Sequence, residues 1–280
     1  MQPDITAYHH LPTGRVTYLI VDPATLLCAI VDPVLGYDPA TQTTDTAFVD
    51  AIVAEIRARD LGPTWILETA VHTDHLSAAG HLKYETGASI CIGAGVLESL
   101  RRLVPVLGAE GVDLEGWDFD KLAQDDEALP MGGVAFTAIA LPGRLPGAVA
   151  YRIGDTVFTG DALLPPDQGL PPSDRPGADA EGLYAAARQL LALAPETRLL
   201  SGSVGSASQA WSASVATQRA HNIDAGDATS AESFAAGRAA QPPRPPLALA
   251  AALAVAVRAG RLPPADGEGK RFPDLAIPPL

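Results

Sequence analysis

The chain has 280 residues, and its 33 acidic and 19 basic side chains give a formal net charge of −14. That length accommodates one large α/β domain with a substantial core. The charge argues against nucleic acid and anionic membrane surfaces as partners, and it gives an anionic thiol no long-range attraction. Met1-Gln2-Pro3-Asp4 lacks the basic and apolar regions of a signal peptide. The two cysteines, Cys28 and Cys91, sit in apolar strand-like runs, which reads as buried free thiols in a reducing, cytoplasmic setting.

Thr17 to Val21 and Leu26 to Val31 are apolar runs separated by Asp22-Pro23-Ala24-Thr25, a hairpin signal. Asp45 to Asp60 reads as a helix, with Phe48, Ala51, Ile52 and Ile56 on one face, Thr44 or Asp45 as its cap and Gly62-Pro63 after its end. A strand over Trp65 to Glu68 leads to a polar loop, and a helix over Leu76 to Glu85, closed by Gly87, follows it. His81 lies inside that helix and reads as a surface or packing residue. Ala88 to Ile92 is a buried strand, and the acidic Leu107 to Asp126 is weakly patterned and wraps the surface.

Val134 to Leu141 is a strand running into Pro142-Gly143-Arg144-Leu145-Pro146-Gly147. Ala148 to Ile153 and Thr156 to Thr159 form a hairpin about Gly154-Asp155 that ends at Gly160-Asp161. Pro165 to Gly177 is a Pro/Gly-rich candidate lid. Asp179 to Ala194 is amphipathic, Thr197 to Leu200 is a strand, and Ser212 to Asn222 is helical. Thr229 and Glu232 form a capping box for a helix over Ser230 to Ala240. Gln241 to Pro246 is a rigid Pro-rich connector. The apolar Leu247 to Val257 is too short to span a bilayer and reads as a core helix or a dimer face, leaving a homodimer open. A single domain over 1–280 is expected, with 241–280 packed on it as a C-terminal extension.

The polar loop carries His72, Asp74 and His75 at a strand exit, where three side chains of metal-ligand type can converge. The plainer reading makes Asp74 a helix cap and the histidines incidental. Taken alone, Asp161 is an ordinary turn aspartate.

The loop Glu68-Thr69-Ala70-Val71-His72-Thr73-Asp74-His75-Leu76-Ser77 resembles the His-x-His-x-Asp-His motif of the metallo-β-lactamase superfamily, and most closely its persulfide dioxygenase and glyoxalase II-like branch. The resemblance extends over Val31-Asp32-Pro33-Val34-Leu35, Phe158-Thr159-Gly160-Asp161, Gln218-Arg219-Ala220-His221-Asn222 and Arg258-Ala259-Gly260-Arg261-Leu262-Pro263-Pro264. It implies an αββα four-layer sandwich with the site at the strand ends.

The resemblance also implies a ligand set, which this chain departs from. The branch's mononuclear iron is held by the first motif histidine, a histidine in a Pro-Gly-His loop and the Gly-Asp aspartate; here these positions are Ala70, Arg144 and Asp161. Two-metal relatives use a later histidine, where this chain has Ser203. The lid segment reads Leu170-Pro171-Pro172-Ser173-Asp174, with Pro172 in place of an arginine. His72, Asp74, His75 and Asp161 remain.

Arg144 is then expected to stand in for the missing cation against Asp74, Asp161 or both, the plainer alternative being loop decoration. The implied function is a catalytically degenerate member that binds a small thiol or anion, or a partner, with no metal or one weakly bound zinc or iron. The alternatives are a thioesterase-like hydrolase with a rebuilt single-metal site and a residual persulfide dioxygenase. No catalytic residue is assignable from the sequence.

Overall fold

Runs of β-branched residues alternating with amphipathic stretches build two six-stranded sheets faced by helices. The computed structural model describes residues 2–141, 145–174, 179–205, 211–241, 248–267 and 269–273. In chain order the elements are β1 (Asp4–His10), β2 (Arg15–Val21), β3 (Leu27–Val31), β4 (Val34–Asp38), β5 (Thr43–Asp45), α1 (Ala47–Ala58), β6 (Gly62–Leu67), β7 (Leu76–Ser77), α2 (Ala79–Thr86), β8 (Ser89–Gly93), α3 (Val96–Leu107), β9 (Lys121–Ala123), β10 (Ala128–Met131), β11 (Val134–Ala140), β12 (Val149–Ile153), β13 (Thr156–Gly160), α4 (Ala180–Leu191), β14 (Arg198–Ser201), β15 (Ser212–Ser214), α5 (Val215–His221), α6 (Ala231–Ala239) and α7 (Leu249–Ala256). The first sheet has the order β1-β2-β3-β6-β8-β9 and the second β10-β11-β12-β13-β14-β15.

The period of two along each strand sends alternate side chains to opposite faces. On β2, Val16, Tyr18 and Ile20 enter the cluster between the sheets, with Phe136, Tyr151 and Phe158 of the second sheet. Leu19 and Val21 point the other way, toward Ile52 of α1, Leu82 of α2, Leu100 of α3 and Leu253 of α7. A third cluster joins Val157 and Leu199 to Leu183 and Leu190 of α4, Val215 of α5 and Phe234 of α6. Three buried clusters between four layers are the αββα sandwich.

The tertiary environment corrects several local readings. Leu76 and Ser77 pair with Leu35 and Val34 of β4, so the helix after the motif loop starts only at Ala79, and Asp74 does not cap it. Ser212–Ser214 is drawn onto the edge of β14, and α5 begins after Ser214, which caps it by accepting from the Thr217 N–H. The cap of α6 is Ser230, not Thr229. Thr44 and Asp45 belong to β5 and α1 starts after Thr46, but Asp45 Oδ1 accepts from the Ala47 N–H at 2.7 Å, so Asp45 does satisfy the helix start. The segment from Leu107 to Asp126 runs through turns but adds β9 to the sheet.

Helix α7 is core rather than an exposed dimer face, since Leu249 and every residue from Ala251 to Ala256 are buried. Leu253→Ala is expected to cost about 2–5 kcal/mol of global stability, read as a single shifted unfolding transition. Separate melting of the C-terminal helix would sink that expectation. The Pro-rich connector lies almost wholly outside the described residues. Cys28 and Cys91 are buried free thiols. No helix among the described residues is long and apolar enough to cross a membrane.

Candidate functional site

The motif loop leaves β6 at Leu67 and is held by the hairpin strand beside it. Asp32, just after β3, adopts a left-handed backbone with φ 49, a conformation uncommon for a residue with a Cβ. It aims its carboxylate into the loop, where Oδ1 accepts from the Thr69 N–H at 2.8 Å and Oδ2 from Thr69 Oγ1 at 2.7 Å. From the opposite sheet, Gly160 (φ +51) brings Asp161 to the same place. A Cβ at Gly160 would lie 2.2 Å from Thr69 Oγ1, so only glycine permits this approach.

His72 turns into this buried base. Its Nε2 lies 3.1 Å from Asp32 Oδ1 and 2.9 Å from Glu68 Oε2. One N–H serves one line, and Glu68 Oε2 receives no hydrogen bond although it is buried. Glu68 Oε1 accepts from Ser77 Oγ. Burial opposes a charge on His72, but Asp32 and Glu68 outweigh it and raise its pKa well above the usual value. His72 is therefore an imidazolium held by carboxylates. Asp32, Glu68 and His72 are the group among the described residues whose ligand-type atoms all lie within 4.8 Å. A proton on His72 already occupies that convergence, and Asp32 is fully used by Thr69 and His72.

His75 is 3% exposed. Its Nδ1 lies 2.9 Å from Asp74 Oδ1, whereas its Nε2 is buried with no hydrogen-bond partner among the described residues. The His72 and His75 rings are 4.3 Å apart. Burial and the charge on His72 lower the pKa of His75, so the network assigns it as neutral with Nδ1–H donating to Asp74.

The residue that decides the site was not singled out from the sequence. Arg15, the first residue of β2, donates through one terminal nitrogen to Asp74 Oδ2 and through the other to Asp161 Oδ1. Side-chain exposure is 13% for Arg15, 19% for Asp74 and 16% for Asp161. Burial alone presses the Arg15 pKa down, but Asp161 and Asp74 more than reverse this and raise it. Burial would raise the Asp74 pKa; Arg15 and the His75 hydrogen bond instead hold it far below the usual carboxylate range. The backbone fixes Arg15 there: Val16 N–H donates to the Gly202 carbonyl at 3.0 Å, Val204 N–H to the Gly14 carbonyl at 2.9 Å, and Arg15 is bridged to Ser203.

The other positions named from the sequence fall around this centre. Ser203 lies beside Arg15, and Ala70 lines a cavity of about 10 Å³ with Glu68 and Ser77, room for at most one water. His81 bonds Asp50 at 2.7 Å, away from the cluster. Arg144, the residue expected to replace the metal, lies outside the described residues. The candidate lid is described up to Asp174, with Pro172 exposed and Ser173 half-buried. Its first part is pinned: Leu170 N–H donates to Asp224 Oδ2 at 2.8 Å, and Arg238 donates to the Leu170 carbonyl at 2.6 Å.

A divalent ion needs open carboxylate oxygens and neutral imidazole nitrogens converging on one point. Here Asp74 and Asp161 each give an oxygen to the same guanidinium, Ala70 offers no ligand atom, and His72 is engaged by two carboxylates. His75 Nε2 alone fits a metal. As a set, these residues fit a metal poorly and a fixed organic cation well.

Comparison with known proteins agrees with the architecture. The chain is 34% identical to a "Beta-lactamase hydrolase-like protein" of Xylella fastidiosa over 96% of its own length and 64% of that protein's, so it spans under two thirds of this relative. It is 32% identical to "Glyoxylase B2" of Dictyostelium discoideum, covering 95% of this chain and 94% of that one. The crystal structure of ETHE1 from Myxococcus xanthus superposes with a TM-score of 0.74 at 26% identity, covering 92% of this chain and all of the other. The sequence signature of the Metallo-beta-lactamase superfamily matches residues 11–202. With its four-layer sandwich and its site at the strand ends, the chain belongs to the metallo-β-lactamase superfamily.

Proposed function

We propose that this chain is a metal-poor, catalytically degenerate member of the superfamily that binds a small thiol or docks a partner group instead of turning over a persulfide or thioester. The observation that carries this reading is the fork of Arg15 onto Asp74 and Asp161. A ferrous centre that binds oxygen and thiol needs two histidines and one carboxylate on one face, and Ala70 removes the first of these. A hydrolytic centre needs a Lewis acid to bring a bound water toward neutral pKa. Arg15 is a cation but cannot do this, because a guanidinium has no open coordination position.

Charge narrows the ligand. Among the described residues, two cations, Arg15 and His72, stand around the cluster against four carboxylates, Asp32, Glu68, Asp74 and Asp161. This environment repels a free anion, so anion binding rests on Arg144, outside the described residues. A neutral thiol meets no such penalty.

A second reading, a thioesterase-like hydrolase with one metal at Asp74, His75 and Asp161, is favoured by the unpartnered His75 Nε2. Elemental analysis for iron, zinc and manganese, after growth with each metal, separates the two. The expected content is far below one atom per chain, with no hydrolysis of a glutathione thioester and no oxygen uptake with glutathione persulfide. Stoichiometric metal together with either activity would overturn the degenerate reading.

A further inference from the structure

Helix α4 covers only part of the outer face of the second sheet. On β12, Ala150 is buried in the third cluster, whereas Arg152, two residues on and on the same face, is exposed. Arg152 stands directly opposite Thr137 of β11. Together with Ile139, Leu193, Asp125 and Asp126 they line a cavity of about 440 Å³, within the size range of small-ligand sites. Gly154, at the turn that opens β13, also lines it, while Asp161 leaves the other end of that strand. The cavity is therefore separate from the motif loop. Its apolar wall is Ile139 and Leu193, both partly buried against the third cluster. Its charged groups are held apart by the backbone. Asp125 Oδ1 accepts from the Ala140 N–H at 2.8 Å, and Arg152 Nε donates to the Gly154 carbonyl at 3.0 Å. Arg152 makes no ion pair among the described residues, so a guanidinium and two carboxylates line one cavity without meeting.

We propose that this cavity binds a short apolar peptide with free termini, a dipeptide in length, with its carboxylate on Arg152 and its ammonium at Asp125 and Asp126. Charge complementarity carries the assignment. The terminal nitrogens of a guanidinium match a carboxylate in a planar fork, and the paired aspartates offer acceptors to an ammonium. A ligand with one charge meets only one of these and faces the other unpaired. Length follows from the strand: Asp125 is fixed at Ala140 and Arg152 at Thr137, positions roughly 10 Å apart along β11 at about 3.3 Å per residue. The two side chains take up part of that span, and two extended residues, about 7 Å, cover the remainder. The adjacent charges of a single amino acid do not. Ile139 and Leu193 give the peptide's side chains an apolar surface. The proposal is independent of the function assigned to the motif loop.

The test titrates leucyl-leucine into the full chain and follows the backbone amides by NMR, with N-acetyl-leucyl-leucine and leucyl-leucine amide as the analogues that each lack one charge. The expected result is saturable shifts confined to amides around Thr137, Arg152 and Gly154, and binding at least about tenfold weaker for either analogue, the loss of one charge-assisted contact. R152Q and D125N/D126N are each expected to weaken leucyl-leucine at least about tenfold as well. Both variants keep the fold: Arg152 is exposed, asparagine at 125 retains the acceptor for Ala140, and asparagine tolerates the left-handed backbone of Asp126 (φ 59). Circular dichroism checks this. Absence of saturable binding would overturn the proposal, as would equal binding by the one-charge analogues, undiminished binding by R152Q, or shifts centred on His72 to His75. Concentration-dependent self-association that R152Q abolishes would overturn it too, by assigning the groove to a second copy of the chain.

Discussion

Replacing Arg15 by alanine lowers the unfolding free energy by about 3–5 kcal/mol in metal-free buffer, the cost of removing one partner from a buried ion pair. All three side chains are less than one-fifth exposed, so solvent cannot take over the role of the guanidinium. Two further terms act in the same direction. Asp74 and Asp161 then both lose the guanidinium they accept from, and the contact joining the start of β2 to loops of both sheets is lost. R15A/D74N/D161N is expected to recover most of the loss, because the carboxylates are neutral amides and no buried charge is left alone. R15K should fall between R15A and the parent. Urea denaturation at neutral pH measures all four proteins. A loss in R15A below about 1 kcal/mol, the size of an exposed surface pair, would show that Arg15 is not seated between the aspartates in solution.

Stability falls as pH rises from 7 to 8, and His72 is the cause. Its folded pKa is raised well above the usual value by Asp32 and Glu68, against the opposing effect of burial. A group with a raised folded pKa contributes its full stabilisation below its unfolded pKa and loses it as pH climbs toward the folded one. In this window the unfolded imidazole, with a pKa near 6.5, has given up its proton while the folded one retains it. The expected slope rises toward, and does not exceed, about 1.4 kcal/mol per pH unit, the limit for one proton. The window stops at pH 8 because burial pushes the Cys28 thiol up to about 12 and the Cys91 thiol to about 11, and unfolded thiols begin to titrate near 8.5. His72→Gln should be less stable at pH 7 and lose the slope. An equal slope in that variant would assign the dependence to another group.

Much of the architecture was legible from local pattern. The hairpin of β2 and β3, the β12–β13 hairpin and the amphipathic α1 and α4 were readable because two- and 3.6-residue periods encode which face is buried, although α1 buries Val49 and Val53 with Ile52 and Ile56 and leaves Ala51 exposed. Boundaries failed where a neighbour overrode propensity, as at Leu76-Ser77 and Ser212–Ser214, which pair with strands distant in sequence. Edge strand β1 and helix α3 were passed over, the first because its residues are only partly buried and alternate weakly. At the site, His72, Asp74, His75 and Asp161 stood out by residue type. Asp32 and Glu68 lay within the quoted family segments, but nothing local said that they would grip His72.

By itself, the sequence determined the superfamily, the position of the motif loop and the absence of ligand-type residues at Ala70, Arg144 and Ser203, because these follow from residue identity along short segments. Only the tertiary structure decided what fills the centre. Arg15 is separated from Asp74 by 59 positions and from Asp161 by 146, and it belongs to no motif. A long guanidinium at the start of a strand reads as solvated surface until the sheets pack. Once Gly160 lets the second sheet close on Thr69 and the backbone of Gly202 to Val204 clamps the start of β2, two carboxylates are buried together. Burying two like charges calls for a cation, and the fold delivers Arg15 to both of them.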